Sequence, residues 1–360
     1  MIRNLRRSLR YAAVIIAIAL IGIAAAPAGT ANAAPVIGTN ARAAALIDVT
    51  SGRLLYSSNG DTPMRIASLT KIMTAIVAIE NGNLSDVVKT PKRAVGREGS
   101  SIYLQLGEEM TLHNMLYGLM LRSGNDAATA IAEHVGGSEA GFVHLMNDKA
   151  AFIGLANSSF RNPHGLDEDD HYSSANDLAK LSAYALKNEA FAEIVRTKMK
   201  QVPNPHDGWN YAWKNKNKML TMYEGADGVK TGYTKKSFRC LVSSATRGGQ
   251  QLAAVTINDG DDWADHRNLL DWGFRHYPLQ TIAEQGEMIA GYPYALGRDF
   301  RYPLEESEQG IIHTKLTLVD PSSTDYALGE RGTLAFQIDG NTVGSVPIYE
   351  PESVRMKLLR

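Results

Sequence analysis

"IASLTKIMTAIVAIENG", residues 66–82, puts a serine and a lysine three positions apart at the head of an apolar run. Ile72, Met73, Ile76, Val77 and Ile79 cover most of a helix circumference, so the pattern predicts a central helix buried on nearly every side. Asn81 and Gly82 supply its stop signal. Burying Lys71 costs free energy unless something compensates its charge. Serine is a favoured N-cap, which gives Ser68 a structural reading. A cap does not explain an interior lysine, and residue 71 is not the Glu or Gln of a capping box. The chemical reading explains both. Residues i and i+3 share a helix face, so Ser68 and Lys71 can meet. A serine hydroxyl needs a base within hydrogen-bond reach, and a lysine becomes one when desolvation or a second cation lowers its pKa. A helix that starts at the serine also aims backbone N–H groups at a developing oxyanion.

Outward from this helix the chain divides by pattern. Before it, "ARAAALIDVTSGRLLYSSNG" reads as a β-hairpin turning at Thr50-Ser51-Gly52. After it, from about Leu84 to Arg196, the pattern is helical and rich in loops. "LHNMLYGLMLRSGNDAATAIAEHVGG" reads as two helices broken at Ser123-Gly124-Asn125, and "NPHGLD" at 162–167 is turn chemistry. "SSANDLAKLSAYALKN" starts a helix with Ser173, Ser174 or Asn176 as its cap. Strand signals return in "GADGVKTGYT" and "FRCLVSSATRGGQQLAAVTIND", the latter with a Gly-Gly turn, and "HRNLLDWGFRHY" closes as a helix. A strand pair, then helices, then strands predicts an α+β domain over residues 38–285, its antiparallel sheet assembled from both ends with a helical insertion between. Residues 286–360 read as a small all-β module of short strands separated by turns.

Composition narrows the function. Lys plus Arg total 37 against 38 Asp plus Glu, a balance that argues against a nucleic-acid partner. Cys240 is the only cysteine, so no intramolecular disulfide forms. The nine histidines show no metal-ligand spacing, and His113, His134 and His164 read as surface or turn residues, so neither a metal nor another cofactor is expected. "MIRNLRRSLR", "YAAVIIAIALIGIAAA" and "TANAAP" are the basic, apolar and small-residue parts of a secretory signal peptide over residues 1–33, which predicts export. The other reading of this segment is a membrane anchor, but its apolar run is short for a span of roughly 20 residues.

Two further motifs complete a constellation. "RSGND" offers Ser123 and Asn125 on a turn, a hydroxyl to relay a proton and a carboxamide to hold an amide. S-x-N alone is weak, since it recurs at Ser57 and Ser174. Lys230-Thr231-Gly232 occurs once, on a predicted strand, where the glycine lets a partner backbone approach; its plain reading is a polar edge strand with a bulge. In the order S-x-x-K, S-x-N, K-T-G, with "NPHGLD" and "LLDWGF" in place, the chain resembles the low-molecular-mass penicillin-binding proteins, serine-type D-alanyl-D-alanine carboxypeptidases of the penicillin-recognising (β-lactamase-like) fold. The C-terminal strands resemble that family's small β domain.

The resemblance implies removal of the terminal D-alanine from peptidoglycan stem peptides, with β-lactams as covalent inhibitors. It implies that Ser68 forms the acyl-enzyme, Lys71 is its base and Ser123 passes the proton to the leaving group. Asn125 would bind the substrate amide, Lys230 would keep Lys71 neutral, and Thr231 would hold the terminal carboxylate. The strand through Gly232 would pair with substrate, and the N–H groups of Ser68 and Tyr233 would form the oxyanion hole. Two departures stand out. Tyr233 replaces the histidine of some members, and "DGDDWADHRN" lacks their carboxylate-binding arginine, for which Arg239 on the neighbouring strand is a candidate substitute. The amphipathic C-terminal anchor of several relatives has no counterpart in "SVRMKLLR"; peripheral membrane contact is a candidate interaction, and the mode of attachment stays open. The competing readings are a DD-endopeptidase, a β-lactamase and a non-catalytic wall-binding protein. No E-x-x-L-N segment follows the S-x-N motif, against the β-lactamase.

Overall fold

The computed structural model describes residues 34–351. Residues 1–33, read above as a signal peptide, and the last residues, 352–360, lie outside the described residues. Ala43–Asp48 (β1) and Leu54–Ser58 (β2) form the expected hairpin. Its turn is held by the Asp48 carboxylate, which accepts from Ser51 N and Ser51 Oγ at 2.8 and 2.7 Å, while Gly52 takes the left-handed conformation at φ 73°.

The hairpin joins three late strands in one five-stranded antiparallel sheet, in the order β2, β1, Gln250–Ile257, Phe238–Arg247, Ala226–Thr234. Both chain ends therefore build the sheet, as the pattern predicts. β1 is buried along its whole length because both sheet faces are covered. Alternation sends Ala43, Ala45 and Ile47 into the core shared with the helical insertion. Leu46 points the other way, onto Leu269 and Leu270 of the closing helix Asp262–His276. Gly273 allows that close approach, since a Cβ there would lie 2.6 Å from Leu46 Cδ2. The turn at Gly248 and Gly249 has φ of 55° and 80°, the pair of positive angles that a two-residue hairpin of this hand requires.

Thr70–Asn81 (α1) is the central helix, with Thr70 to Ala78 all buried. It begins two residues later than the serine. Ser68 sits in a 3₁₀ turn, Ala67–Leu69, and no side chain caps α1, so the N-cap reading of Ser68 fails on geometry. In the insertion, Leu112–Tyr117 runs into a π-helical turn, Gly118–Arg122, and breaks at Ser123 in the left-handed conformation (φ 65°). Asn125–Gly136 follows, ended by left-handed Gly137. Ser174 caps Ala175–Leu186 by accepting from Asp177 N at 3.2 Å, which settles the choice among three candidates. Two short antiparallel pairs, Val87–Lys89 with Glu109–Thr111 and Met199–Val202 with Tyr211–Lys214, carry no visible period because three or four residues are too few to show one.

In the C-terminal part, Ala295–Leu296, Asn341–Tyr349, Glu330–Ile338 and His313–Leu318 form a four-stranded antiparallel sheet. Phe336, Val346 and Ile348 fill its core, and Phe300 stacks on Phe336 with ring centroids 4.3 Å apart. Leu279–Ala283 pairs with Phe300–Pro303 beside it. Arg53 clamps this part to the hairpin, donating to Pro303 O at 2.7 Å and pairing with Glu308. Among the described residues no helix is long and apolar enough to cross a membrane.

Candidate active site

The 3₁₀ turn, the Ser123 turn and the Ala226–Thr234 strand converge on one cleft of about 420 Å³. Ser68, Ser123, Thr231, Gly232 and Tyr233 line it, together with Ser100, Lys216, Arg239, Cys240, Asp262 and Trp263. Lys71 and Asn125 lie just beneath, at 0% and 4% exposure. Ser68, Lys71, Ser123, Asn125, Thr231, Gly232 and Tyr233 thus meet in one place.

Lys71 carries the strongest constraint. Its Nζ lies 3.1 Å from Ser68 Oγ, 2.7 Å from Asn125 Oδ1 and 2.6 Å from His164 O. Among the described residues no carboxylate forms an ion pair with it. Burial drives its pKa well below the lysine value, and the neighbouring cations Lys230 and Lys216 push in the same direction. Lys230 is itself buried, donates to Thr231 O at 2.8 Å, and is lowered to about 7 by desolvation and by Lys216. Asn125 Oδ1 and His164 O accept the N–H groups of Lys71, which turns the remaining position on its nitrogen toward Ser68.

The surroundings hold these groups in register. Asn125 spans the wall: its Nδ2 donates to Glu98 O at 2.6 Å and its backbone N to Ser100 O at 2.7 Å. Asp126 fixes the same loop by accepting from Ser101 Oγ, Ile102 N and Leu104 N. Ser123 Oγ is buried at the cleft wall without a hydrogen-bond partner, a hydroxyl left free for an incoming group. Gly232 is where the sheet meets the serine turn: a Cβ there would sit 3.2 Å from both Ile66 O and Ser68 N. The Tyr233 side chain is 64% exposed at the mouth. Arg239 reaches the cleft, but Asp262 holds it through bonds of 2.5 and 3.2 Å. No group of His, Cys, Asp or Glu suited to a metal ion occurs among the described residues.

His164 is a turn residue, as expected, and a buried one: it is 2% exposed, and its carbonyl accepts from Lys71. Its ring faces Arg97 and Glu139, and burial lowers its pKa. The whole 162–165 turn packs on α1. Thr74 Oγ donates to Pro163 O at 2.6 Å, and Gly165, at φ 83°, takes a position where a Cβ would collide with Ala67 O. His171 completes the support. Its Nδ1 accepts from Arg161 N, so the proton is on Nε2, which faces Thr70 Oγ at 2.8 Å. Sequence reasoning did not reach Lys216, Ser100 or His171. The alternating "KNKNK" at 214–218 is the one signal that could have found the first of them.

A serine, a buried lysine without an acidic partner and a sheet edge beside them define a serine peptidase of the penicillin-recognising fold. Comparison with known proteins makes the class specific. Residues 28–261 match the family model described as Peptidase_S11, D-alanyl-D-alanine carboxypeptidase. The chain is 35% identical over 337 residues to the D-alanyl-D-alanine carboxypeptidase DacF of Bacillus subtilis (strain 168), covering 88% of this chain and 86% of that one. It is 31% identical to DacA of Escherichia coli (strain K12), over 84% of this chain and 81% of that one. Penicillin binding protein 5 from Haemophilus influenzae superposes with a TM-score of 0.72 at 27% identity, over 88% of this chain and 98% of that chain. The chain belongs to the D-alanyl-D-alanine carboxypeptidase family of serine peptidases.

Proposed function

We propose that the chain removes the terminal D-alanine from peptidoglycan stem pentapeptides through an acyl-enzyme on Ser68. Lys71 takes the Ser68 proton as Oγ attacks the carbonyl carbon between the two D-alanines. The carbonyl oxygen becomes an oxyanion between the N–H groups of Ser68 and Tyr233. The C–N bond then breaks, and Ser123 delivers a proton to the departing amine. Water hydrolyses the ester and restores Ser68. Asn125 holds the donor-side amide, and the strand through Gly232 pairs with the extended peptide. Thr231 and Lys230, with Arg239 alongside, take the terminal carboxylate. A β-lactam enters the same path and stays on Ser68 as a stable ester.

The observation that carries this reading is the set of oxygens around Lys71 Nζ. Two N–H bonds go to Asn125 Oδ1 and His164 O. The remaining position faces Ser68 Oγ and holds a proton when the lysine is charged, a lone pair when it is neutral. Burial and the Lys230 cation favour the neutral form, which is the form that accepts a proton. The reading includes a catalytic unit over residues 38–285, a β module over 286–360, export directed by residues 1–33 and peripheral contact with the membrane.

Benzylpenicillin labelling tests it. Intact mass should rise by one adduct, peptide mapping should place that adduct on Ser68, and a peptide ending in D-Ala-D-Ala should release D-alanine. Ser68→Ala should abolish both results while unfolding as the parent does. An adduct on any other residue overturns the assignment.

A further inference from the structure

Lys216 is the one cation at the cleft that the mechanism above leaves without a task. It lines the cleft and also a second cavity of about 530 Å³, walled by Lys198, Lys214 and Lys218 with Leu220 and Met222. The two spaces meet at this side chain. Lys214 ends the Tyr211–Lys214 strand, Lys216 and Lys218 follow in the bend and turn ahead of Met219–Met222, and all three border this cavity. No carboxylate lines the second cavity, and Lys216 pairs with none among the described residues. Its Nζ donates to Ser100 Oγ at 3.0 Å.

The segment is anchored on both sides of the lysine. Asn215 Nδ2 donates to Thr197 O at 3.0 Å, and Asn217 Nδ2 donates to Gly228 O at 2.7 Å. Lys216 N donates to Leu121 O at 3.2 Å. Three ties hold the backbone, so the ammonium is presented across the cleft to the Ser100 wall. That wall also accepts from Asn125 N, which places Lys216 beside the residue that holds the donor-side amide. An ammonium held beside a neutral hydroxyl, with more lysines behind it, lacks only an anion.

We infer that Lys216 selects substrates by binding a second carboxylate, one carried on the side chain of the residue that precedes D-Ala-D-Ala. This rests on the Ser68 reading. The preferred donor peptide is a diacid, its amidated form is a poor substrate, and the lysine-lined cavity takes the chain as it leaves the cleft. Partial desolvation of Lys216 strengthens such a pair relative to one in open water.

The test compares two peptides that differ only at that side chain, free carboxylate against carboxamide, each ending in D-Ala-D-Ala. Parent enzyme should favour the acid by about tenfold or more in kcat/KM, the scale of one charge-assisted hydrogen bond, with most of it in KM. Lys216→Gln should bring the ratio to about one, and Lys216→Arg should restore most of it. Any effect of Lys216 on Lys71 acts on both peptides alike and cancels in the ratio, as does a partly unfolded preparation. A parent ratio near one, or a ratio unchanged in Lys216→Gln, overturns the inference while Ser68 labelling and D-alanine release stand. Loss of Ser68 labelling in the parent would instead bring down the underlying reading.

Discussion

Lys230→Met separates the two consequences of burying a second lysine. Folding displaces the Lys230 pKa from the ordinary 10.5 to about 7. At about 1.4 kcal/mol per pH unit, that displacement is on the order of 5 kcal/mol of burial cost, an upper bound at neutral pH. The sign follows from proton uptake. Between pH 7 and 10.5 the unfolded chain holds this proton and the native protein does not, so stability rises with pH across that window. Below about 7 the native lysine is charged as well and the dependence levels off. Methionine keeps most of the volume and removes the titration. It also removes one hydrogen bond, that to Thr231 O, a loss of about 1 kcal/mol. The variant should therefore be more stable than the parent by roughly 2–4 kcal/mol at pH 7.5, with the gap narrowing toward pH 10. Urea unfolding at both pH values reads this directly. Acylation should move the opposite way. Without its neighbouring cation Lys71 has a higher pKa, so the acidic limb of the benzylpenicillin acylation profile shifts to higher pH. A variant that is less stable at pH 7.5 and keeps the parental acidic limb would refute the reasoning.

Other variants probe single links. Lys71→Arg keeps the charge but cannot release a proton near neutrality, so acylation should fall by at least about two orders of magnitude in stopped-flow labelling. Ser123→Ala deletes a hydroxyl that has no hydrogen-bond partner among the described residues. Its melting temperature should match the parent's while D-alanine release falls by about a hundredfold or more. Gly232→Ala presses a methyl against Ile66 O and Ser68 N, so acylation should drop with little loss of helical circular dichroism. His171 is held to about 4 by burial, below its ordinary 6.5. The unfolded chain alone is protonated between those values, so stability should fall as pH drops from 6.5 toward 4, and His171→Gln should flatten that slope in thermal scans.

What the sequence made legible follows a physical rule. Ser68 and Lys71 are readable because one helical turn must carry both. Lys230, Thr231 and Gly232 are readable because a strand must offer a cation, a hydroxyl and a bare backbone in succession. These roles depend on side-chain type at fixed local spacing. The sheet built from both ends was readable for a similar reason, since the runs at 43–58 and 226–257 carry strand periodicity on either side of a helical block. Short pairs such as Val87–Lys89 with Glu109–Thr111 were not, because neither partner is long enough to show a period.

The unreadable part of the site is made of backbone and distance. Any residue can supply the carbonyl that His164 offers to Lys71, so nothing in the letter at 164 announces it. "NPHGLD" marks a turn, but each of its early residues has a separate task that only packing reveals. Asn162 Oδ1 accepts from Gly165 N and closes the turn, Pro163 O accepts from Thr74, and Gly165 admits Ala67 O where a side chain would clash. That last contact bears on the question of where the helix begins. Ala67 sits at φ 46°, a costly angle for alanine, and the serine follows it in a 3₁₀ turn rather than in α1. The strained residue is packed between the 162–165 turn, where Gly165 faces Ala67 O, and the Gly232 strand, where the glycine faces Ala67 Cβ. Two glycines distant in sequence thereby hold Ser68 out of regular helix, with its hydroxyl toward Lys71 and its N–H beside the sheet edge. Geometry that depends on three segments at once leaves no local pattern, and that is why the helix reads from the sequence while the pose of its nucleophile does not.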